Sequence, residues 1–186
     1  SYGGILWLGA VCSFLHLRAD QFMIKQMLNV SELGVYSIAV TLSELLFLVP
    51  ISVSSALLGK LYNTSEPGVA RSIMAGTLKL TFYICTALAL VGIPLSLLIP
   101  VIYGQAYAGA VSSVMVLLGG AVFASLAKVG VQYFFTLGRP KVHLYTTLAT
   151  LIVTVVLNFL PIPPSGFFGA AFASSISYLG YGMFSL

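Results

Sequence analysis

Four ionisable side chains interrupt stretches of this sequence that are otherwise apolar. Arg18, Asp20 and Lys25 lie in the segment LHLRADQFMIKQM, which follows the apolar run GGILWLGAVCSF, and Glu44 lies in the next apolar run. Charged residues make up only 6% of the chain. Placing a charge at the centre of a hydrophobic span costs about 2.5–3.5 kcal/mol, so such residues are functional candidates by default.

Helical geometry divides the charges of the first segment between two faces. Arg18 and Lys25 are seven residues apart and share a face, whereas Asp20 shares a face with His16. Arg18 and Asp20 therefore do not neutralise each other within the helix. We expect Arg18 to face a hydrated cavity and hold an anion there, with a structural ion pair to another helix as the alternative. Asp20 is expected to pair with a cation of another helix or to take part in ion coupling, and Lys25 to reach the outer interface.

Two further positions extend this set of polar residues. Glu44 lies near the middle of the second apolar stretch, where a buried glutamate is either protonated or paired, and Arg18 is its candidate partner. Lys128 and Gln132 are four residues apart in a later apolar stretch and form a polar stripe on one helical face. The elements that position all these residues are predicted to be membrane helices.

The composition is that of a multi-span membrane protein. Hydrophobic residues make up 59% of the 186 residues, whereas soluble domains are about 45–50% apolar and about 25% charged. So few charges cannot cover the surface of a soluble protein of this size. The formal net charge of +4 indicates cytoplasmic loops and lipid headgroups rather than nucleic acid.

Six windows of about 20 or more mostly apolar residues can be placed along the chain. Short segments with turn chemistry separate them. Pro50 and Pro94 lie inside windows and are expected to kink the helices there, because proline removes a backbone hydrogen bond. The predicted fold class is an all-α, polytopic transmembrane helix bundle with six spans. The spans cover residues 3–28, 33–58, 69–99, 108–137, 142–160 and 167–186.

Basic residues beside the short loops predict the orientation. Lys60 and Arg71 flank the second break, and Arg139 and Lys141 flank the fourth, whereas Glu32 is the charged residue of the remaining breaks. Cytoplasmic loops carry the excess of lysine and arginine. The even-numbered breaks are therefore expected to be cytoplasmic, with the first span running from inside to outside.

The sequence gives little support to an enzyme. Its four carboxylates, Asp20, Glu32, Glu44 and Glu66, are dispersed, and its two histidines have no neighbours with metal-ligand spacing. There is no P-loop or nucleophile elbow. We therefore expect no catalytic residue, no metal and no cofactor.

Three stretches together resemble the polysaccharide flippase branch of the multidrug/oligosaccharidyl-lipid/polysaccharide exporter superfamily. LRADQFMIKQMLNVSELGVYSIAVTLSELLFLVPISVSSALL is similar to that family's charged helix, a Gly-Val-Tyr-Ser turn at Gly34–Ser37, and a helix with a mid-span proline. FFTLGRPKVHLYTTLATLIVTVVLNFLPIPPSGFFGAAFASSIS resembles its cytoplasmic Gly-x-x-Lys turn, its Leu-Asn pair and its Gly-x-x-Gly-Ala-Ala motif at Gly166–Ala171. PVIYGQAYAGA resembles the loop between these blocks. The chain departs from the pattern at Leu58-Gly59-Lys60, where family members often have a proline.

The resemblance implies a single lobe, residues 1–186, of a two-lobe flippase whose N-terminal lobe lies outside this sequence. The implied function is translocation of an undecaprenyl-diphosphate-type oligosaccharide across the bacterial inner membrane for cell-surface polysaccharide, such as O-antigen, by alternating access. Arg18 and Lys128 are then candidates to hold the diphosphate, with Lys25 as a further cationic candidate. Gln21, Gln132 and Tyr133 are candidates for contacts with sugar hydroxyls. The expected partners are this lipid-linked substrate, membrane lipid, the other lobe and polysaccharide-assembly enzymes.

Two alternatives remain open at this point. A drug/cation antiporter of the same superfamily would have a cavity dominated by carboxylates, whereas basic residues outnumber acidic ones within these spans. A non-transporting membrane scaffold for polysaccharide-assembly enzymes would pair its charges between helices and have no solvent path.

Overall fold

The computed structural model describes residues 2–64 and 66–184 and confirms the predicted all-α bundle. It contains two 3-10 turns, Leu45–Phe47 and Gln105–Tyr107. The helices of the described residues are α1 (Tyr2–Met27), α2 (Val30–Glu44), α3 (Leu48–Tyr62), α4 (Pro67–Ser96), α5 (Ile99–Ile102), α6 (Ala110–Thr136), α7 (Pro140–Phe159) and α8 (Ile162–Phe184).

Each of the six predicted spans lies on one of these helices or on a pair of them. Helices α2 and α3 with the turn between them form one rod of 33 residues, Val30–Tyr62. This rod, α4 from Gly68, α6 and α7 are long and apolar enough to cross a membrane. Helix α1, at 26 residues, also reaches the length that a span needs, whereas the 23 residues of α8 include a kink at Gly166. Residues 185 and 186 of the last predicted span lie outside the described residues.

The predicted turn at Gly34–Ser37 is wrong, because these residues lie inside α2. The break comes earlier, where the side chain of Asn29 accepts a hydrogen bond of 2.9 Å from the backbone N–H of Glu32 and caps the helix. An N-cap asparagine satisfies a helical N–H that would otherwise lack a partner. The helix therefore starts at Val30 and runs through Gly34 without interruption.

The turn between α6 and α7 is built by a glycine and a proline. Gly138 has a φ of 66°, a conformation that glycine adopts without steric cost. The N–H of Arg139 donates to the carbonyl of Phe134 (2.9 Å), and the N–H of Gly138 donates to that of Phe135 (3.1 Å). This is a Schellman cap. Pro140 then starts α7, where its missing N–H costs nothing.

Helix α6 is the centre of the bundle. It packs most extensively against α8 and also against α2, α3 and α4, while α1 packs along α7. Two thirds (67%) of its most apolar window is buried, against 17% for α4. Helix α4 therefore lies at the periphery and presents apolar side chains such as Leu80, Leu90 and Leu95 outward, as expected of a lipid-facing helix.

Small residues allow α8 to approach its neighbours closely. Its repeat of Gly169, Ala173 and Ser177, which predicts a packing face, is buried. On the facing helix, a Cβ at Gly120 would stand 2.7 Å from the Cα of Ser175. The backbones of α6 and α8 therefore touch at this point.

The two prolines predicted to kink their helices behave differently. Pro50 lies in the first turn of α3, directly after the 3-10 turn Leu45–Phe47. Pro94 lies two residues before Ser96, the last residue of α4. The first proline therefore accompanies a break in the middle of a span, whereas the second accompanies a helix end. The chain bends once more at Gly166 (φ 59°), within the range of α8.

Candidate functional site

A cleft of about 580 Å³ opens among the described residues. It is formed by α1, α3, α6, α7 and α8, and its volume is within the range of pockets that hold small molecules. Lys128 and Gln132 contribute its most polar groups. The lining residues are Leu6, Ala10, Ser13, Pro50, Ile51, Ser54, Ser55, Leu58, Lys128, Val131, Gln132, Phe135, His143 and Tyr181.

Helical periodicity explains which residues reach the cleft. On α6, Lys128, Gln132 and Phe135 follow one another at intervals of four and three residues, and so share a face. On α3, Pro50, Ser54 and Leu58 repeat every four residues. All these positions belong to the half of the bundle that contains the start of α1 and the end of α8. With the orientation predicted from the basic loops, that half is cytoplasmic.

Lys128 is half-buried and has two contacts, one with Phe47 before α3 and one with Ser54 in α3. Its Nζ lies 4.6 Å from the centroid of the Phe47 ring, at cation–π distance. The hydroxyl of Ser54 donates to the Lys128 carbonyl at 3.3 Å. Because Ser54 contacts the backbone of Lys128 and the ammonium group contacts a ring without forming an ion pair among the described residues, this group remains able to bind an anion in the cleft.

Arg18 is paired with Glu44. Its Nη2 donates to Oε2 of Glu44 at 2.8 Å, and the two side chains are 31% and 22% exposed. The sequence left this ion pair as the alternative to a free cavity cation, and the structure favours it. Arg18 lies outside the lining of the cleft.

Asp20 lies in a buried polar cluster, and its partners are not the cation expected from the sequence. Tyr36 donates to Oδ2 at 2.5 Å, Ser174 donates to the same oxygen at 2.9 Å, and the backbone N–H of Gln21 donates to Oδ1 at 2.7 Å. The side chains of Asp20, Tyr36 and Ser174 are buried. The expectation of an ion pair fails because Asp20 points between α2 and α8, where hydroxyl groups are its partners and no basic side chain of the described residues lies within ion-pair distance.

A line of polar residues follows one face of α7. Thr147, Thr150, Thr154 and Asn158 repeat at intervals of three or four and are all buried, with His143 one turn before them in the cleft. His16 of α1 shares a hydrogen bond of 2.8 Å between its Nδ1 and the hydroxyl of Thr154. The second ring nitrogen of His16 has no partner among the described residues. The interface between α1 and α7 therefore contains a buried polar contact at His16 and Thr154.

The remaining predicted residues lie away from the cleft. Lys25 is exposed in the last turn of α1. Gln21 is half-buried beside Asp20, and Tyr133 packs in the apolar cluster of Leu57 and its neighbours. Of the six candidates for substrate contact, Lys128 and Gln132 therefore line the cleft, and Arg18, Gln21, Lys25 and Tyr133 do not.

The sequence analysis missed the polar face of α7 and the cleft residues Ser13, His143 and Tyr181. The spacing of Thr147, Thr150, Thr154 and Asn158 carries the signal for that face, since four polar residues on one helical face do not favour lipid contact. No comparable signal marks Ser13 or Tyr181. Within residues 2–64 and 66–184, no three His, Cys, Asp or Glu side chains are close enough to hold a metal ion.

The comparisons with known proteins agree with the fold and with the resemblance. No protein-family model matches the chain. A Shigella flexneri protein described as "Putative O-antigen transporter" is 23% identical over 177 residues, which cover 94% of this chain and 42% of that protein. The chain thus spans about two fifths of the length of this relative.

Two solved structures share the fold. One is an outward-facing multidrug resistance MATE family transporter of the MOP superfamily (TM-score 0.81, 19% identity), and the other is a MATE protein in the bent conformation (TM-score 0.77, 20% identity). Each match covers 97% of this chain and 42% of the other. The predicted resemblance is therefore confirmed: this multi-pass membrane chain shares the fold of two MATE transporters, one of them described as a member of the MOP superfamily, and is similar in sequence to a protein described as "Putative O-antigen transporter".

Proposed function

We propose that this chain is the second lobe of a flippase that carries a lipid-linked oligosaccharide of the undecaprenyl-diphosphate type across the bacterial inner membrane. The observation that carries the proposal is the cleft with Lys128 on one of its walls. Among the described residues the ammonium group of Lys128 contacts the Phe47 ring and forms no ion pair, and the cleft gives an anion access to it. The chain acts as a transporter and not as an enzyme.

The physical task explains the shape of this site. A hydrated, anionic headgroup must pass about 30 Å of hydrocarbon. A cleft that offers an ammonium group, an amide and hydroxyl groups replaces the water around the diphosphate and sugar, while the isoprenoid tail stays in lipid. Rocking of two lobes against each other would expose such a cleft to each side in turn.

Each polar residue has a distinct role in this proposal. Lys128 holds a phosphate, and Gln132 and Ser55, which also line the cleft, contact phosphate or sugar hydroxyls. Arg18 is a second anion site once its pair with Glu44 opens. Asp20 is a candidate for ion coupling, because it is a buried carboxylate whose described partners are hydroxyl and N–H groups.

A drug/cation antiporter of the same superfamily is the second candidate. The two solved structures with this fold support it, since both are MATE transporters and one is named for multidrug resistance. A cationic substrate needs carboxylates, however, and the lining of the cleft contains a lysine, a histidine and no Asp or Glu. A scaffold for polysaccharide-assembly enzymes needs no cleft at all. The charge of the cleft thus favours an anionic substrate.

The test is polysaccharide export by the full-length protein in a strain that lacks its own flippase, normalised to the amount of protein in the membrane. Lys128→Gln should lower normalised export about tenfold or more, because a charge-assisted contact with phosphate is lost. Lys128→Arg should retain part of it. Lys79→Gln is the matched control, since Lys79 is exposed on α4 and lies outside the cleft. Full export by Lys128→Gln would contradict the proposal.

A further inference from the structure

The rod formed by α2 and α3 is interrupted near the middle of its 33 residues. The interruption is the 3-10 turn Leu45–Phe47, and Pro50 follows it in the first turn of α3. Proline has no N–H to donate to the carbonyl four residues earlier, here that of Leu46, and its ring crowds that carbonyl. A stretch of 3-10 geometry inside a helix often marks a hinge.

Charged side chains from two other helices hold the two ends of this turn. Glu44 directly precedes it and accepts the hydrogen bond from Arg18 of α1. Phe47 ends it, with its ring under the ammonium group of Lys128 of α6. The turn is therefore fixed at one end by an ion pair and at the other by a cation–π contact.

These two contacts are also the ones that an anionic ligand would disturb. The Arg18–Glu44 pair is partly exposed, and Lys128 lines the cleft. A diphosphate carries more negative charge than a carboxylate and binds the guanidinium group in a bidentate manner. It can therefore replace Glu44 at Arg18, and it attracts Lys128 more strongly than an aromatic ring does.

We propose that Glu44 is an internal counter-anion, which an anionic headgroup displaces from Arg18, and that this displacement, with the loss of the Lys128–Phe47 contact, releases Leu45–Phe47 as a hinge. The inference rests on the proposed function and adds a specificity element to it. A ligand shifts an equilibrium only by its difference in affinity for the two states. A neutral lipid binds neither state more tightly and leaves Leu45–Phe47 in its 3-10 conformation. Glu44 is thus a positioning residue that makes the motion depend on substrate charge.

Binding affinity gives the first test, on full-length protein in lipid nanodiscs. The probe is a polyprenyl diphosphate, with the polyprenol of equal length as the neutral comparison. Glu44→Gln should tighten the Kd for the diphosphate about two- to fivefold, because the ligand no longer competes with an ion pair. A merely structural role of Glu44 would weaken binding or leave it unchanged. Glu32→Gln, on the same rod and outside this contact, should have no effect.

The conformation of the rod gives the second test. Spin labels at Ser31 and Tyr62, both exposed, report the distance between the two ends of the rod in a background with Cys12 and Cys85 replaced. The diphosphate should add a second, shorter distance, and polyprenol should not. Glu44→Gln and Phe47→Leu should each populate the shorter distance without ligand, so that the test does not depend on one variant.

The outcomes separate the two proposals. If the diphosphate binds and is exported while the distance stays the same, or if Glu44→Gln does not tighten binding, the hinge inference is overturned and the proposed function stands. If the unaltered protein does not bind the diphosphate, both are overturned. Tighter binding together with the shorter distance supports both.

Discussion

At the scale of single residues, the buried carboxylate of Asp20 shows how much a hydrogen-bond network can replace a counter-ion. Three donors surround it at 2.5–2.9 Å. A buried charge without partners costs several kcal/mol, and donors aimed at it offset much of that cost. The donors also depend on Asp20 as their acceptor, since Tyr36 and Ser174 are buried as well. Changing any member therefore leaves polar groups without partners.

This mutual dependence predicts a graded loss of stability. Asp20→Ala removes the acceptor of three hydrogen bonds and should destabilise the protein by about 3 kcal/mol. Tyr36→Phe removes one donor and should cost about 1–2 kcal/mol. The midpoint of thermal unfolding in detergent gives the order of the two variants. Equal stability of Asp20→Ala and the unaltered protein would show that the cluster does not stabilise the fold.

Asp20→Asn separates stability from ion coupling, because it keeps the shape of the side chain and removes the charge. Normal abundance in the membrane with loss of export would favour a coupling role. Reduced abundance with export in proportion would favour a structural one. Either result is read from the same normalised export assay that tests Lys128.

At the scale of elements, the contact between α6 and α8 depends on a missing side chain. A Cβ at Gly120 would meet the backbone of Ser175, whereas one at Gly119 would meet nothing within 4 Å. Gly120→Ala should therefore push the helices apart and cost about 1–3 kcal/mol. Gly119→Ala should be neutral or stabilise the protein by about 0.5–1 kcal/mol, because alanine favours the helix. Thermal unfolding of the two neighbouring variants, side by side, measures the difference, and equal midpoints would contradict the close contact.

The helices themselves were largely predictable from the sequence, whereas their pairing was not. Long apolar windows and loops with Gly, Pro and Asn fix the number of spans, and the closure at Gly138 and Pro140 follows from local backbone rules. The 3-10 turn was less predictable. Pro50 predicts a break nearby, but no sequence pattern indicates that the preceding residues form a 3-10 turn. The contact of α1 with α7 joins segments more than a hundred residues apart, and no local pattern specifies it.

The same limit divides the candidate site. Lys128 and Gln132 could be assigned to one polar face, because a spacing of four is a property of one helix. The sequence could not decide whether Arg18 faces a cavity or forms an ion pair, because this depends on which side chain of α2 lies opposite it. Asp20 finds Tyr36 and Ser174, which lie 16 and 154 residues away. The residue pattern of a single helix does not identify partners on other helices.

At the scale of the whole molecule, the bundle places its basic loop residues at one end. Lys60 and Arg71 flank the link from α3 to α4, and Arg139 and Lys141 flank the link from α6 to α7. Because consecutive spans alternate in direction, these two links lie on the same side, and the links after α1, α4 and α7 lie on the other. The cleft belongs to the basic side. In the proposed function, this is the side where a lipid-linked sugar made in the cytoplasm would enter.

Cysteine accessibility tests this orientation directly. Single cysteines at Ser31 and Gln105, both exposed, should react with a membrane-impermeant thiol reagent in cells with a permeable outer envelope and an intact inner membrane. Single cysteines at Asn63 and Arg139, also exposed, should react only after the inner membrane is opened. The reason is that lysine- and arginine-rich short loops remain in the cytoplasm. Reaction of Arg139→Cys with the inner membrane intact would invert the bundle, and the cleft would then receive its ligand from the outer side.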